Sequence, residues 1–498
     1  MINSEGTVAE ENYWYSQLEA EGQLEAEAVA EAKIIVDAFR AREIEIGGFP
    51  DCAEEDDDLH PGGIAFMYAQ GQILAREQYL SGAGWTPEPP DRLSVSRPRG
   101  ILDILGEDRR VREIEITRVA RDIVRLRLNP RRGRQLRHRQ QPDVLKLLKR
   151  LDAELGPGIA APDHVLTAAQ HMTPCSATEP QQVYPTAGPY PAVCRDGGAR
   201  VRIFQADTGL VAGAAETFPW LAGVRGDPDP RESSGTILPY GGHGTFVAGV
   251  LRCMAPRAQV HVENIFATAG SALESEVAMR LHAAFGFGFE ILHITASCHT
   301  RKNVPPLALE AFLELLRPYK GVVCVAEAGN NGTKRPAWPG AFPDVLSVGA
   351  LATDWRSRAD FSNYGGWVDV YAPGEKLINA IGSGTYTCQI PPDVGEVRTF
   401  SGLAQWSGTS FSAPIVTGLI AARMARRGES AREAAAALLA KARTIPGVGP
   451  VLLPCCGDDD EHCGHCGDGG RCGCAGGCAC GDVCGCGGGH GKHGRMPR

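Results

Sequence analysis

Between Arg200 and about Pro446 the chain alternates short, almost continuously apolar runs with longer amphipathic ones: VRIFQAD, FVAGVLRCM, QVHVENIF, VAMRLHAAF, EILHITA, ALEAFLELL and GVVCVAEA. Apolar strands taking turns with helices predict a parallel sheet covered on both faces. Reactive groups in such folds gather at the carboxyl ends of the strands. Before this region the pattern differs. Over residues 11–45, Ala, Glu and Leu dominate, and Leu18, Leu24, Ala28, Ile35 and Ala38 recur at roughly helical spacing. A loop rich in acid and glycine follows, then a second expected helix from Ile64 to Leu80. From Val111, REIEIT and DIVRLRL read as strands, PDVLKLLKRLDAEL as a helix beginning at Pro142, and GIAAPDHVLTAA as a further strand. That order fits a small α+β unit. The Pro- and Gly-rich TPCSATEPQQVYPTAGPYP reads as an exposed linker. The expected organisation is an acidic, helix-rich region (1–90), a basic α+β domain (91–170), a linker (171–194), an α/β domain (195–450) and a tail (451–498).

The 498 residues exceed one ordinary compact unit, and 43% hydrophobic with 22% charged residues is a globular composition. A net charge of -9 argues against general nucleic-acid binding. The Arg-dense run from Arg92 to Arg150 reads as solvated or paired with acidic neighbours, so no nucleic-acid partner is expected. No stretch reaches the roughly 18 apolar residues of a membrane span, and the first thirty residues lack the plan of a secretory signal. The expectation is a cytoplasmic protein with no membrane partner. The partner of the N-terminal helical region is not legible.

Three short sequences carry chemistry. Asp207-Thr208-Gly209 follows the apolar VRIFQA, where a carboxylate can orient a histidine; alone it is equally a turn or a cap. His243-Gly244-Thr245-Phe246-Val247-Ala248-Gly249 opens an expected helix whose small residues allow close packing. Ser407-Gly408-Thr409-Ser410-Phe411-Ser412-Ala413-Pro414 precedes the apolar IVTGLIAARMA, so Ser410 stands at a helix N-terminus, beside backbone donors and the positive dipole end. Any one of these serines could be a plain N-cap. Together the three fit one chemistry. A serine hydroxyl needs an imidazole to take its proton, and the imidazole needs a carboxylate to hold its tautomer. The chain order Asp, His, Ser is that of subtilisin.

DTG, HGTFVAG and GTSFSAP resemble the three signature motifs of the subtilisin-like serine proteases (subtilases). MAPRAQV, AEAGNNG, FPDVLSVGA, DFSNYG and VDVYAPG resemble further family segments, so the likeness covers roughly residues 195–445. It implies an α/β three-layer sandwich with a mostly parallel seven-stranded sheet, and a serine endopeptidase working through an acyl-enzyme with Asp207, His243 and Ser410. It also implies that Asn330, in Ala328-Gly329-Asn330, donates to the oxyanion. Substrate would pair along Ile294, Thr295, Ala296 and Ser297, against Glu327, Ala328 and Gly329 at the primary pocket. Where the family often has alanine this chain has Glu327, which is expected to attract a basic side chain or to be solvated or ion-paired.

No cofactor is needed for this chemistry. VAGVLRC runs directly into MAPRAQV, leaving no room for the family's calcium loop. The α+β unit resembles the family's inhibitory propeptide, APDHVL matching its final strand. This implies a zymogen cut somewhere between Ala168 and Ala192.

Of 17 cysteines, seven lie scattered before residue 390 and read as reduced, packed thiols. The other ten crowd into Cys455–Cys486, in a stretch too rich in glycine to build a core. Cys463, Cys466, Cys472, Cys474, Cys478, Cys480, Cys484 and Cys486 are close enough to share zinc or copper(I), in a composition that resembles metallothionein. Disulfides or a plain low-complexity tail are the alternatives. Two other functions stay open: an inactive subtilisin fold used for binding, and a metal-handling protein that carries the fold.

Overall fold

The computed structural model describes residues 14–22, 24–50, 63–82, 99–130, 142–168, 179–184, 187–191, 197–230, 232–233, 235–454, 466–467 and 471–472. Two helices open the chain, α1 (Trp14–Ala20) and α2 (Ala26–Arg40), separated around Gly22. Strands β1 (Ile46–Pro50) and β2 (Ile64–Arg76) follow, then α3 (Ile101–Gly106), β3 (Val111–Arg118), β4 (Ile123–Pro130), α4 (Val144–Leu155) and β5 (Ala160–Thr167). Helix α4 starts a little later than Pro142 suggested, because Asp143 caps it by accepting from the Lys146 N–H at 3.0 Å.

The segment expected to be a helix from Ile64 is β2. Eleven of its thirteen positions are buried, since it lies mid-sheet, between β4 and β5, with β1 on its first half. A strand buried on both faces has no alternation to betray it. Gly71 (φ 71°) sits where the pairing with β5 shifts register, a backbone turn that a side chain would strain. The boundary expected near residue 90 therefore falls inside one sheet, because β2 precedes it and β4 and β5 follow. Helices α3 and α4 cover one face of this sheet through Ile101, Ile104, Leu147, Leu148 and Leu151. Helix α2 packs Ile35 and Phe39 with Met67 and Val165. Several arginines of this unit are paired: Arg99 and Arg150 both bind Glu107 and Glu154, and Arg118 binds Glu77.

The second unit is built on β6 (Arg202–Asp207), β7 (Arg225–Gly226), β10 (Gln259–Asn264), β12 (Ile291–Ile294), β13 (Val323–Glu327), β14 (Val345–Leu351), β15 (Val370–Pro373), β18 (Arg443–Ile445) and β19 (Gly449–Val451). They lie in the order β18-β19-β15-β14-β13-β12-β6-β10-β7, and every neighbouring pair except β18–β19 is parallel. The strand count exceeds the seven expected because edge strands of two or three residues, too short to show periodicity, join both ends. One face is covered by α6 (His243–Met254), α9 (Thr409–Arg427) and α10 (Ala431–Lys441), the other by α7 (Glu274–Ala284) and α8 (Leu307–Leu316). A short α5 (Ala214–Thr217) and a second sheet of β8 (Glu232–Ser233), β9 (Thr236–Ile237), β16 (Leu377–Thr387) and β17 (Val397–Trp406) complete it.

One further strand, β11 (Ser271–Leu273), belongs to the α/β unit but pairs antiparallel with β5, so a single sheet runs across both units. The segment expected to be an exposed linker is docked where it is described. Gln181 and Gln405 exchange backbone hydrogen bonds at 2.8 and 2.9 Å, and Tyr190 and Ile378 at 2.8 and 3.0 Å. Buried Glu179 accepts from Gln389 N at 2.9 Å and from the Tyr386 hydroxyl.

Cys253, Cys298, Cys324 and Cys388 are buried thiols outside any disulfide. Beyond Pro454, only Cys466–Gly467 and Arg471–Cys472 are described, as a short antiparallel pair. The expected metal-sharing cysteines Cys463, Cys474, Cys478, Cys480, Cys484 and Cys486 lie outside the described residues. Among the described residues no helix is long and apolar enough to cross a membrane.

Candidate active site

Asp207 ends β6, at the carboxyl edge where a parallel sheet presents its functional groups. Its carboxylate is fully buried and its two oxygens divide their work. Oδ1 meets His243 Nδ1 at 2.7 Å and accepts from the Thr208 N–H at 2.8 Å. Oδ2 accepts from Gln205 Nε2 at 3.0 Å and from the Thr295 hydroxyl at 2.5 Å. Burial alone would push this acid up. The charge of His243 and the hydrogen bonds from His243, Thr295 and Thr208 outweigh it and hold the carboxyl below its ordinary value. Gln205 also donates to the Gly244 carbonyl at 2.9 Å, tying β6 to the start of α6. Gly244 allows that approach, since a Cβ there would lie 2.3 Å from the Gly209 carbonyl oxygen.

His243 is the first residue of α6, after Gly242 in the left-handed region at φ 79°. Asp229 braces that turn by accepting from Gly242 N at 2.7 Å. Trp406 stands edge-on to the imidazole at 5.6 Å and Phe411 tilts against it at 5.4 Å. With Nδ1 committed to the carboxylate, Nε2 is buried and has no hydrogen-bond partner among the described residues. A proton acceptor is thereby left open.

Ser410 lies in the first turn of α9. Its hydroxyl donates to the backbone carbonyl of Ala168 at 2.9 Å, just past the end of β5. That carbonyl is held in a strand-like groove. Thr167 exchanges both backbone hydrogen bonds with Ser297 at 3.0 Å, and Ala168 N donates to Gly270 O at 2.8 Å. On the other edge, Val165, Leu166 and Thr167 are in register with Leu273, Ala272 and Ser271 of β11. The end of the N-terminal unit thus lies between two backbone edges with its carbonyl on the serine, as an extended peptide does in strand addition.

Asn330 follows β13 and is buried. Its Oδ1 accepts from both Thr409 N and Thr409 Oγ1 at 2.8 Å. The amide oxygen is therefore anchored next to Ser410, which leaves the amide NH2 as the donor group. Gly329, at φ 90°, makes this turn, and a Cβ there would lie 2.3 Å from Asn363 Nδ2.

Of the other expected residues, Ser297 pairs with the bound strand through its backbone. Ile294 and Ala296 are buried in the core beside it. Thr295 turns its side chain inward to Asp207 and does not line the groove. Thr295, expected on the substrate edge, instead serves Asp207 of a neighbouring strand, and Gln205 serves it from within β6. A polar residue two places before Asp207 in an apolar strand was the available signal. Glu327, expected to be available to a basic side chain, is 1% exposed. Its Oε2 accepts from Gly329 N at 2.6 Å and from the Thr409 hydroxyl. Burial raises its pKa, while the Ser297 and Thr409 hydroxyls and Gly329 N–H favour its charge.

Residues 224–450 match the Subtilase family. The chain carries a subtilase domain. His243, Asn330 and Ser410 fall inside that span; Asp207 precedes it and joins through its bond to His243. The chain is 31% identical over 217 residues to a thermophilic serine proteinase of Bacillus sp. (strain AK1), covering 42% of this chain and 48% of that protein. It is 28% identical over 269 residues to thermitase of Thermoactinomyces vulgaris, covering 52% and 85%. The chain spans about half the length of several curated relatives that it matches. In fold it resembles fervidolysin of Fervidobacterium pennivorans, with a TM-score of 0.51 at 17% identity, over 82% of this chain and 64% of that one. The subtilase domain has the subtilisin-like α/β architecture, and subtilases need no cofactor for catalysis. Helix α6 ends at Met254 and β10 begins at Gln259, so the two are joined directly where the family's calcium loop was expected to be missing.

Proposed function

We propose that this chain is a serine endopeptidase, made as a zymogen, whose first cut is in its own chain after Ala168. The contact that carries the reading is Ser410 Oγ at 2.9 Å from the Ala168 carbonyl oxygen, with the Asp207–His243 pair formed beside it. For attack, the hydroxyl turns its proton from that carbonyl to His243 Nε2. Oγ bonds to the Ala168 carbonyl carbon as Nε2 takes the proton, and Asp207 stabilises the imidazolium. Negative charge moves onto the carbonyl oxygen, where the Asn330 amide and the Ser410 N–H receive it. The tetrahedral species collapses, the Ala168–Ala169 bond breaks, and His243 returns the proton to the departing amine. A water, deprotonated by the same imidazole, then releases the Ala168 carboxylate and regenerates Ser410.

After that cut the N-terminal unit would remain in the groove as a product-like inhibitor, while the docked segment from Glu179 stays with the peptidase. Proteins or peptides with an extended segment at the scissile bond would be the substrates in trans. Complete Asp207, His243, Asn330 and Ser410 side chains favour catalysis over an inactive binding fold. Labelling by a fluorophosphonate probe tests the reading. Wild type is expected to label, and Ser410→Ala and His243→Ala to lose the label. Absence of label on wild type, with the N-terminal unit in place and after its proteolytic removal, would overturn it.

A further inference from the structure

We infer that Glu327 closes the primary specificity pocket, so that this peptidase cuts after small uncharged residues and rejects basic and large apolar ones. The inference rests on the peptidase reading and adds its substrate class. Ala168 occupies the position whose carbonyl meets Ser410, so its side chain marks the pocket. Along β5 the side chains alternate. Val165 packs with Ile35, Phe39 and Leu273, whereas Leu166 and Ala168 face the core that holds Ala296, Cys298, Ala326 and Trp338. The space under Ala168 is therefore bounded by the segment after β12 and by the end of β13, and Ala168 itself is fully buried there.

Glu327 is the last residue of β13, directly after Ala326 of that core. It bonds Thr409, the neighbour of Ser410, and is stabilised by Ser297, the backbone partner of Thr167. It thus lies between the nucleophile and the strand that holds the peptide. Its Oε2 already serves two donors, Gly329 N and the Thr409 hydroxyl. A basic side chain would have to draw the carboxylate off those donors, leaving the buried Gly329 N–H unpaired and the Thr409 hydroxyl with Asn330 Oδ1 as its acceptor. A large apolar side chain would need the volume that the carboxylate fills.

The test is cleavage-site profiling on an unbiased peptide library, sequenced by mass spectrometry, with full-length wild type, Glu327→Ala and Glu327→Gln. Each protein is first titrated with fluorophosphonate to count working serines. Wild type is expected to cut after Ala, Ser and Gly at least about 10-fold more often than after Leu, Phe, Lys or Arg, the scale on which a pocket discriminates by volume. Glu327→Gln keeps that preference because it keeps the volume, and Glu327→Ala admits Leu and Phe by about 10-fold or more. Wild-type cleavage after Lys or Arg, or an unchanged profile in a labelled Glu327→Ala, overturns the inference. Should Glu327→Ala fail to fold, the wild-type and Glu327→Gln profiles still decide it. A wild type that neither labels nor cleaves would sink the peptidase reading itself and this one with it.

Discussion

Asp207 explains why a buried carboxylate can stay charged beside a histidine. Oδ1 is committed to His243 and Thr208, and Oδ2 to Gln205 and Thr295, so both oxygens are satisfied without solvent. Removing a donor from Oδ2 weakens the charged form and raises the carboxyl's pKa. Thr295→Val is therefore expected to lower kcat/KM by about 10- to 100-fold, the worth of one charge-assisted hydrogen bond. It should also move the acid limb of the pH–rate profile downward, because a weaker Asp207 charge stabilises the imidazolium less; a profile that keeps its acid limb would show that Thr295 only packs. Asn330→Ala is expected to cost about 10²–10³ in kcat with KM little changed, a magnitude carried over from the equivalent change in subtilisin itself. That Asp207, His243, Ser410 and Asn330 would stand together was legible because each sits in a contiguous motif. Thr295, Gln205 and the closed role of Glu327 were not. Their meaning depends on the folded positions of Asp207, Gly244 and Thr409, and at Glu327 charge alone pointed to a basic substrate where the hydrogen bonds point to a filled pocket.

Strand β5 joins the two units, and its polar residues form a buried latch. Asp163 Oδ1 accepts from Ser275 N at 3.0 Å, and Oδ2 from the Ser275 hydroxyl at 2.6 Å, both at the start of α7. Next to it His164 Nδ1 meets Glu274 Oε2 at 3.1 Å, while Glu274 Oε1 accepts from Ala308 N at 2.6 Å at the start of α8. Arg125 of β4 reaches Ser275 Oγ at 3.3 Å. Burial, with Glu274 adding to it, pushes the Asp163 carboxyl up to about 7, against the Ser275 hydrogen bonds and Arg125. Released into water this acid returns towards its ordinary value of 3.8. The docked state thus binds the proton more tightly. Its contribution to docking is fully present below the free value and is lost as pH rises through about 7, an effect on the order of a few kcal/mol. Inhibition of the cleaved peptidase by its N-terminal unit is expected to be weaker at pH 8.5 than at pH 5.5, and Asp163→Asn is expected to flatten that difference. A pH dependence unchanged in Asp163→Asn would assign it to other groups. This strand was readable from its apolar pattern and its place before the linker. Strand β2 was not, because burial on both faces erased the alternation that marks a strand, and its length suited a helix.

Across the whole molecule the two units are continuous where they meet. β11 extends the N-terminal sheet, Tyr240 donates its hydroxyl to buried Glu31 at 3.2 Å, and Arg335 donates to the Ala65 carbonyl at 3.1 Å. Arg42 of the N-terminal unit also bonds Thr268 and Glu276. The α/β class and the separate N-terminal run of strands and helices were legible in the sequence. The sharing of one sheet by both units was not, since it pairs residues more than a hundred positions apart. This continuity makes a definite prediction about the chain's own processing. The measurement that tests it most directly is intact-mass and N-terminal analysis of the purified full chain, wild type against Ser410→Ala. Wild type should give two fragments, the peptidase fragment beginning at Ala169, with Ser410→Ala left whole. A wild type that stays whole, or a Ser410→Ala cut at the same bond, would contradict self-cleavage by Ser410.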